Sequence, residues 1–96
     1  MWIGWLELDL LLGDVHSLKQ KRAVIRPVLA ELRRLDVSAA EVGDQDLHRR
    51  AGIGVAVVSG EPAQVRRVLD TAERLVAERP EFELLAARVR LVSSDD

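Results

Sequence analysis

The stretch Trp2 to Leu12, WIGWLELDLLL, constrains the fold more than any other part of the chain. Leu6, Leu8, Leu10 and Leu12 fall at every second position, which gives a strand one wholly apolar face. The other face carries Ile3, Trp5, Glu7, Asp9 and Leu11. It is apolar enough for a strand with neighbours on both sides, so this strand is predicted to be central in its sheet. Glu7 and Asp9 exclude a membrane-spanning helix.

The rest of the chain must supply the partners of this strand. Gly13-Asp14-Val15-His16 reads as a turn, and Ser17 as the N-cap of a helix, with Gln20 three residues on completing a capping box. Leu18, Ile25, Val28, Leu29, Leu32 and Leu35 form one helical stripe. Pro27 interrupts it, removing the amide that would bond the Ala23 carbonyl at up to about 3 kcal/mol. The stripe continues beyond, which predicts one kinked helix over 18–35. Residues 36–42 are β-compatible, and either Ser38, Ala40 and Val42 or Val37, Ala39 and Glu41 can face inward. Residues 43–50 read as a hairpin connection. Over 51–59, Ile53, Val55 and Val57 alternate with Gly52, Gly54 and Ala56. The small face leaves room for a large neighbour, predicted to be Trp5. Pro62 opens a second helix with a stripe of Val65, Val68, Leu69, Ala72, Leu75 and Val76, and Pro80 ends it. The last strand is predicted over 82–92, with Leu85, Ala87, Val89 and Leu91 toward the core and Arg88 and Arg90 outward, opposite Glu7 and Asp9. Residues 93–96 are expected to form a flexible tail. Val28-Leu29 followed by Arg34-Leu35 recurs as Val68-Leu69 followed by Arg74-Leu75, which suits two similar halves. The order βαββαβ, as two right-handed split units, predicts an α+β domain: one four-stranded antiparallel sheet with both helices on one face.

Ninety-six residues make one domain. Folding at this size hides about two thirds of the chain's surface, enough for a core without staples. The absence of cysteine excludes disulfides and thiolate metal sites. Nothing resembles a signal peptide, so a cytoplasmic protein without a membrane partner is expected. The net charge of −2 does not call for nucleic acid, but its distribution is uneven: 19–34 holds six basic residues against one acid, Glu31.

That cluster begins where cations are least expected. Lys19, Lys21 and Arg22 sit in the first turns of the first helix, whose N-terminus already carries partial positive charge. A bound anion would turn the arrangement into a favourable one; the plain alternative is that the side chains splay into water. Arg49 and Arg50 in the hairpin connection are predicted to share this end of the sheet, with Asp14, His16, Asp44, Asp46 and His48. No metal-binding spacing joins these histidines and acids, and no nucleophile–base arrangement is present. Neither a cofactor nor an enzymatic activity is expected. Acylphosphatases share this order of elements, but their glycine-rich phosphate cradle is missing from GDVHSLKQKR. Base stacking on the sheet is disfavoured as well, because Glu7 and Asp9 follow Trp5 on its face.

Ser17-Leu18-Lys19-Gln20-Lys21-Arg22, Ala40-Glu41-Val42, Gln45-Asp46-Leu47 and the run from Ile53 through Ser59 together resemble the YlxP-like proteins, a bacterial family of unknown function. The resemblance spans nearly the whole chain and departs from the family pattern at Pro27 and His48. It implies a ferredoxin-like fold. Genes of that family commonly lie among those for translation and ribosome maturation, which makes ribosomal RNA or a ribosomal particle the expected partner. The leading expectation is a non-enzymatic RNA- or ribosome-associated accessory factor. Its anion contacts would be Lys19, Lys21, Arg22 and Arg26, flanked by Arg49 and Arg50, with Ser17 holding the helix start. The alternative is a homodimeric protein-interaction or small-ligand regulatory module acting through its open sheet face or an edge strand.

Overall fold

The computed structural model describes residues 1–95. The elements are β1 (Trp2–Leu12), α1 (Leu18–Arg33), β2 (Ser38–Glu41), β3 (Arg50–Ser59), α2 (Pro62–Ala77) and β4 (Phe82–Ser93). The strands lie in the order β2-β3-β1-β4, and every pairing is antiparallel. This is the ferredoxin-like arrangement, with β1 central as expected.

Leu6, Leu8, Leu10 and Leu12 are all buried on the helix side. They meet Ile25, Val28, Leu29 and Leu32 of α1 and Val65, Leu69, Ala72 and Val76 of α2 in one cluster. Each buried Leu, Ile or Val among them stabilises the fold by about 1.5–3 kcal/mol. Gly4 lets α2 approach: a methyl group there would collide with Val65 Cγ1 and crowd Leu69 Cδ1. Helix α1 runs unbroken through Pro27. Pro27 and Ala23 are both exposed, so water can take the orphaned carbonyl. The helix ends two residues before the expected boundary, closed by Leu35 N–H to the Leu32 carbonyl at 2.9 Å. Asp36 then turns the chain with φ 59°.

Three local expectations are corrected. The first concerns β4, where Asp9 pairs with Ala86 but Leu10 pairs with Leu84. Leu85 is thus the extra residue of a β-bulge and is exposed, not in the core. The bulge resets the alternation, so Phe82 and Leu84 face inward before it and Ala87, Val89 and Leu91 share the helix side after it. Ala87 and Val89 nonetheless remain exposed, Val89 at 64%, because β4 is an edge strand that the helices do not fully cover. The second concerns Trp5. It stands opposite Ala56, while Val42 and its backbone cover Gly52 and Gly54. The third concerns the chain end. Ser93 belongs to β4, and Ser94 donates its N–H to the Met1 carbonyl at 2.8 Å and accepts from the Met1 amino group at 3.1 Å. Of the expected tail, Asp96 lies outside the described residues.

Of the outward charges of β4, Arg88 meets Glu7 and Asp9 as expected, while Arg90 stands opposite Trp5 instead of a carboxylate. Arg88 donates to Glu7 Oε2 at 2.7 Å and to Asp9 Oδ2 at 3.2 Å. The hydrogen bond it donates to Glu7 first, then the one to Asp9, raises the guanidinium pKa above its ordinary value. The pairing lies on the open sheet face and sets the register more than it stabilises the fold.

Candidate functional site

The start of α1 is built by its own first residues. Ser17 is extended, and its Oγ accepts the Gln20 N–H at 3.1 Å. Gln20 reciprocates one residue earlier than the standard capping box, accepting the His16 N–H on Oε1 at 2.7 Å. His16 Nε2 and Asp14 Oδ1 lie 2.9 Å apart on the exposed turn. Among the described residues, no three His, Asp or Glu side chains converge as a metal site.

Lys21 departs from its expected role. It is 1% exposed, the one charged residue in the buried set among the described residues. Its ammonium donates to the carbonyls of Asp44 at 2.7 Å and Leu47 at 2.6 Å, and lies 2.8 Å from Glu41 Oε2. The carboxylate is placed off the direction of a hydrogen bond, so it contributes chiefly as charge. Two carbonyl acceptors and one carboxylate charge thus surround the ammonium. Lys21 is not an anion contact but a clamp that holds the β2–β3 connection onto the helix start. A sequence signal for this was present: Leu18, Lys21, Ile25, Val28 and Leu32 follow one 3-4 spacing, so Lys21 stands inside the apolar stripe. The connection is shaped to meet it. Gly43 and Asp44 take left-handed backbone angles, φ 72° and 54°, a turn that glycine and aspartate tolerate best. Asp44 O also accepts the Leu47 N–H at 3.1 Å.

Glu41 reaches Lys21 because β2 pairs Glu41 with Ile53 and Ala39 with Val55, which puts both on the helix side. The ambiguity over which face of β2 is inside is thus resolved. Ser38 and Ala40 face the open side, where Trp5, Glu7, Val42, Gly54 and Ala56 complete a shallow depression of about 340 Å³.

The remaining expected contacts are exposed. Lys19, Arg22 and Arg26 line one side of α1, and none of them takes part in an ion pair or side-chain hydrogen bond among the described residues. The first turn of α1 contains no acid. Arg49 and Arg50 lie at the same end of the sheet: the Arg49 carbonyl accepts the Leu12 N–H at 2.8 Å, and Arg50 pairs with Leu11. Both side chains are exposed. The site is therefore a row of free cations on a helix start that is capped by Ser17 and pinned by Lys21. Chemically it can pair with anionic oxygens.

A de novo designed protein with a ferredoxin fold, solved by solution NMR, matches with a TM-score of 0.61, covering 98% of this chain and 88% of that one at 11% identity. The likeness concerns the fold alone. The uncharacterized protein YlxP of Bacillus subtilis (strain 168) is 33% identical over 87 residues, which is 90% of this chain and 95% of that protein. A family model described as "Protein of unknown function (DUF503)" matches residues 3–89. With the family model and a relative of similar length in agreement, the chain belongs to the DUF503 family, the YlxP-like proteins.

Proposed function

We propose that this protein is a non-enzymatic accessory factor that binds structured RNA or a ribosomal particle through phosphate groups held along α1. The observation that carries this reading is the row of Lys19, Arg22 and Arg26, exposed and without ion-pair partners among the described residues, at a helix start without acids. In the first turn, where Lys19 stands, such a cation is unfavourable by about 0.3–1 kcal/mol at low salt, an effect that fades toward Arg22 and Arg26. A phosphate reverses that sign by meeting the side chains and the helix dipole together. Arg49 and Arg50 extend the positive surface along the phosphate backbone. Lys21 serves indirectly, by keeping the β2–β3 connection against the row.

The test is the double variant Lys19→Glu, Arg22→Glu, assayed on ribosomal RNA and on intact ribosomal particles over a salt series. Because both residues are exposed, the melting temperature is expected to stay near that of the wild type or to rise slightly. Association should weaken strongly, and the log–log salt slope should flatten by roughly 0.7–0.9 for each phosphate no longer neutralised. A wild-type protein without salt-sensitive RNA association would remove the premise, and unchanged association in the variant would move the binding surface elsewhere.

A further inference from the structure

Strand β4 is left unfinished on its outer side. It is twelve residues long and, among the described residues, pairs only with β1, so about half of its N–H and C=O groups point away from the sheet. Natural edges of this length are commonly blunted by proline, lysine or a β-bulge; Phe82–Ser93 contains neither proline nor lysine, and its bulge at Leu85 lies near the start, leaving 86–93 as a regular edge. The other edge, β2, is only four residues long. Beside the β4 edge, on the helix side, lies a groove of about 640 Å³ whose floor is Leu6, Leu69, Val89 and Leu91. Val89 projects there 64% exposed, on the face that the helices cover elsewhere. The far wall is α2, which presents Arg66, Arg67, Asp70 and Glu73 in that order.

We propose that a second copy of this chain docks on this edge, β4 against β4 about a two-fold axis, joining two four-stranded sheets into one of eight. The order of charges on α2 identifies the occupant. A two-fold axis runs the partner's helix in the opposite direction. The basic pair Arg66 and Arg67 then faces the partner's acidic pair, and Asp70 and Glu73 face its basic pair, across the apolar floor. A foreign strand would satisfy the backbone edge but has no reason to carry this pattern, whereas a second copy carries it by symmetry. The apolar floors of the two copies become continuous and are shielded from water between the two α2 helices. The surface is separate from the basic row of α1 and does not depend on the RNA reading.

Sedimentation velocity and native mass spectrometry at tens of micromolar test the proposal on three proteins. The wild type is expected to be a dimer. Arg66→Glu with Arg67→Glu makes the wall wholly acidic, and Asp70→Arg with Glu73→Arg makes it wholly basic, so each variant alone should be a folded monomer by circular dichroism. Arg66, Arg67 and Asp70 are exposed and Glu73 is partly so, and the Asp70–Arg74 pair that the second variant breaks is a 3.8 Å surface contact. Mixed in equal amounts, the two variants should restore a dimer as the heterodimer. A wild type that stays monomeric at hundreds of micromolar overturns the proposal and leaves the edge to a foreign strand. It is overturned equally by a dimer that survives both charge changes, or by a mixture that stays monomeric.

Discussion

Lys21 shows how much can rest on one side chain. A buried ammonium is tolerated only when it is hydrogen-bonded and its charge is compensated; here two carbonyls accept from it and the Glu41 carboxylate 2.8 Å away supplies the opposite charge. Lys21→Ala leaves Glu41 with its charge half-buried and the 43–49 connection untethered, and is expected to cost about 2–4 kcal/mol in urea denaturation. Lys19→Ala, two residues away and exposed, should change stability by less than about 0.5 kcal/mol. Equal effects at the two positions would refute the clamp. Two glycines are as sensitive, for reasons of space. A methyl on Gly52 would collide with the Val42 carbonyl oxygen, which belongs to a backbone that Val42 N–H to the Gly52 carbonyl at 2.7 Å holds in place. On Gly4 it would collide with the side chains of Val65 and Leu69, which can shift rotamer. Gly4→Ala should therefore cost about 1–3 kcal/mol, with Gly52→Ala at or above the top of that range. Gly13→Ala meets nothing within 4 Å and should be neutral or slightly stabilising. Denaturation midpoints of the three variants check this order.

At the scale of elements, α1 and β4 differ in how far their sequences can be read. Helix α1 carries its own start signal in Ser17 and Gln20, so the cap and the basic row of Lys19, Arg22 and Arg26 are legible from the chain. Strand β4 carries no such signal at its bulge. Its apolar residues fit an unbroken alternation through Leu85, and only pairing with β1 reveals that Leu85 is supernumerary. Deleting Leu85 joins Leu84 directly to Ala86, opposite Leu10 and Asp9, and keeps every later residue on its face. That variant is expected to fold with a melting temperature near wild type. Deleting Val89 turns the strand over from that point, and should unfold the protein or lower its melting temperature sharply. Thermal melts of the two deletions, read by circular dichroism, distinguish a bulge from a regular strand.

For the whole molecule, the central position of β1 predicts a gradient of stability. Its amides are paired on both sides by β3 and β4 and lie over the core, so they should exchange with solvent only on global unfolding. Amides of the 43–49 connection should exchange by local opening, and faster still in Lys21→Ala; hydrogen exchange resolved by residue reads both. The order of elements, the central strand and the two helix stripes can all be read from the chain because they are local periodicities. A leucine at every second position has few alternatives to a buried strand face, and a 3-4 apolar spacing few alternatives to a packed helix. The direction in which β2 faces cannot be read, because Ser38-Ala39-Ala40-Glu41 has too little apolar contrast to choose a side. Pairing with β3 made the choice, which sent Glu41 to the helix side and brought its carboxylate to Lys21, whose place inside the apolar stripe the chain already shows. The cover of Gly52 by Val42 and the exposure of Val89 belong to the same class. Each depends on where a distant segment comes to rest, and no window of neighbouring residues contains that segment.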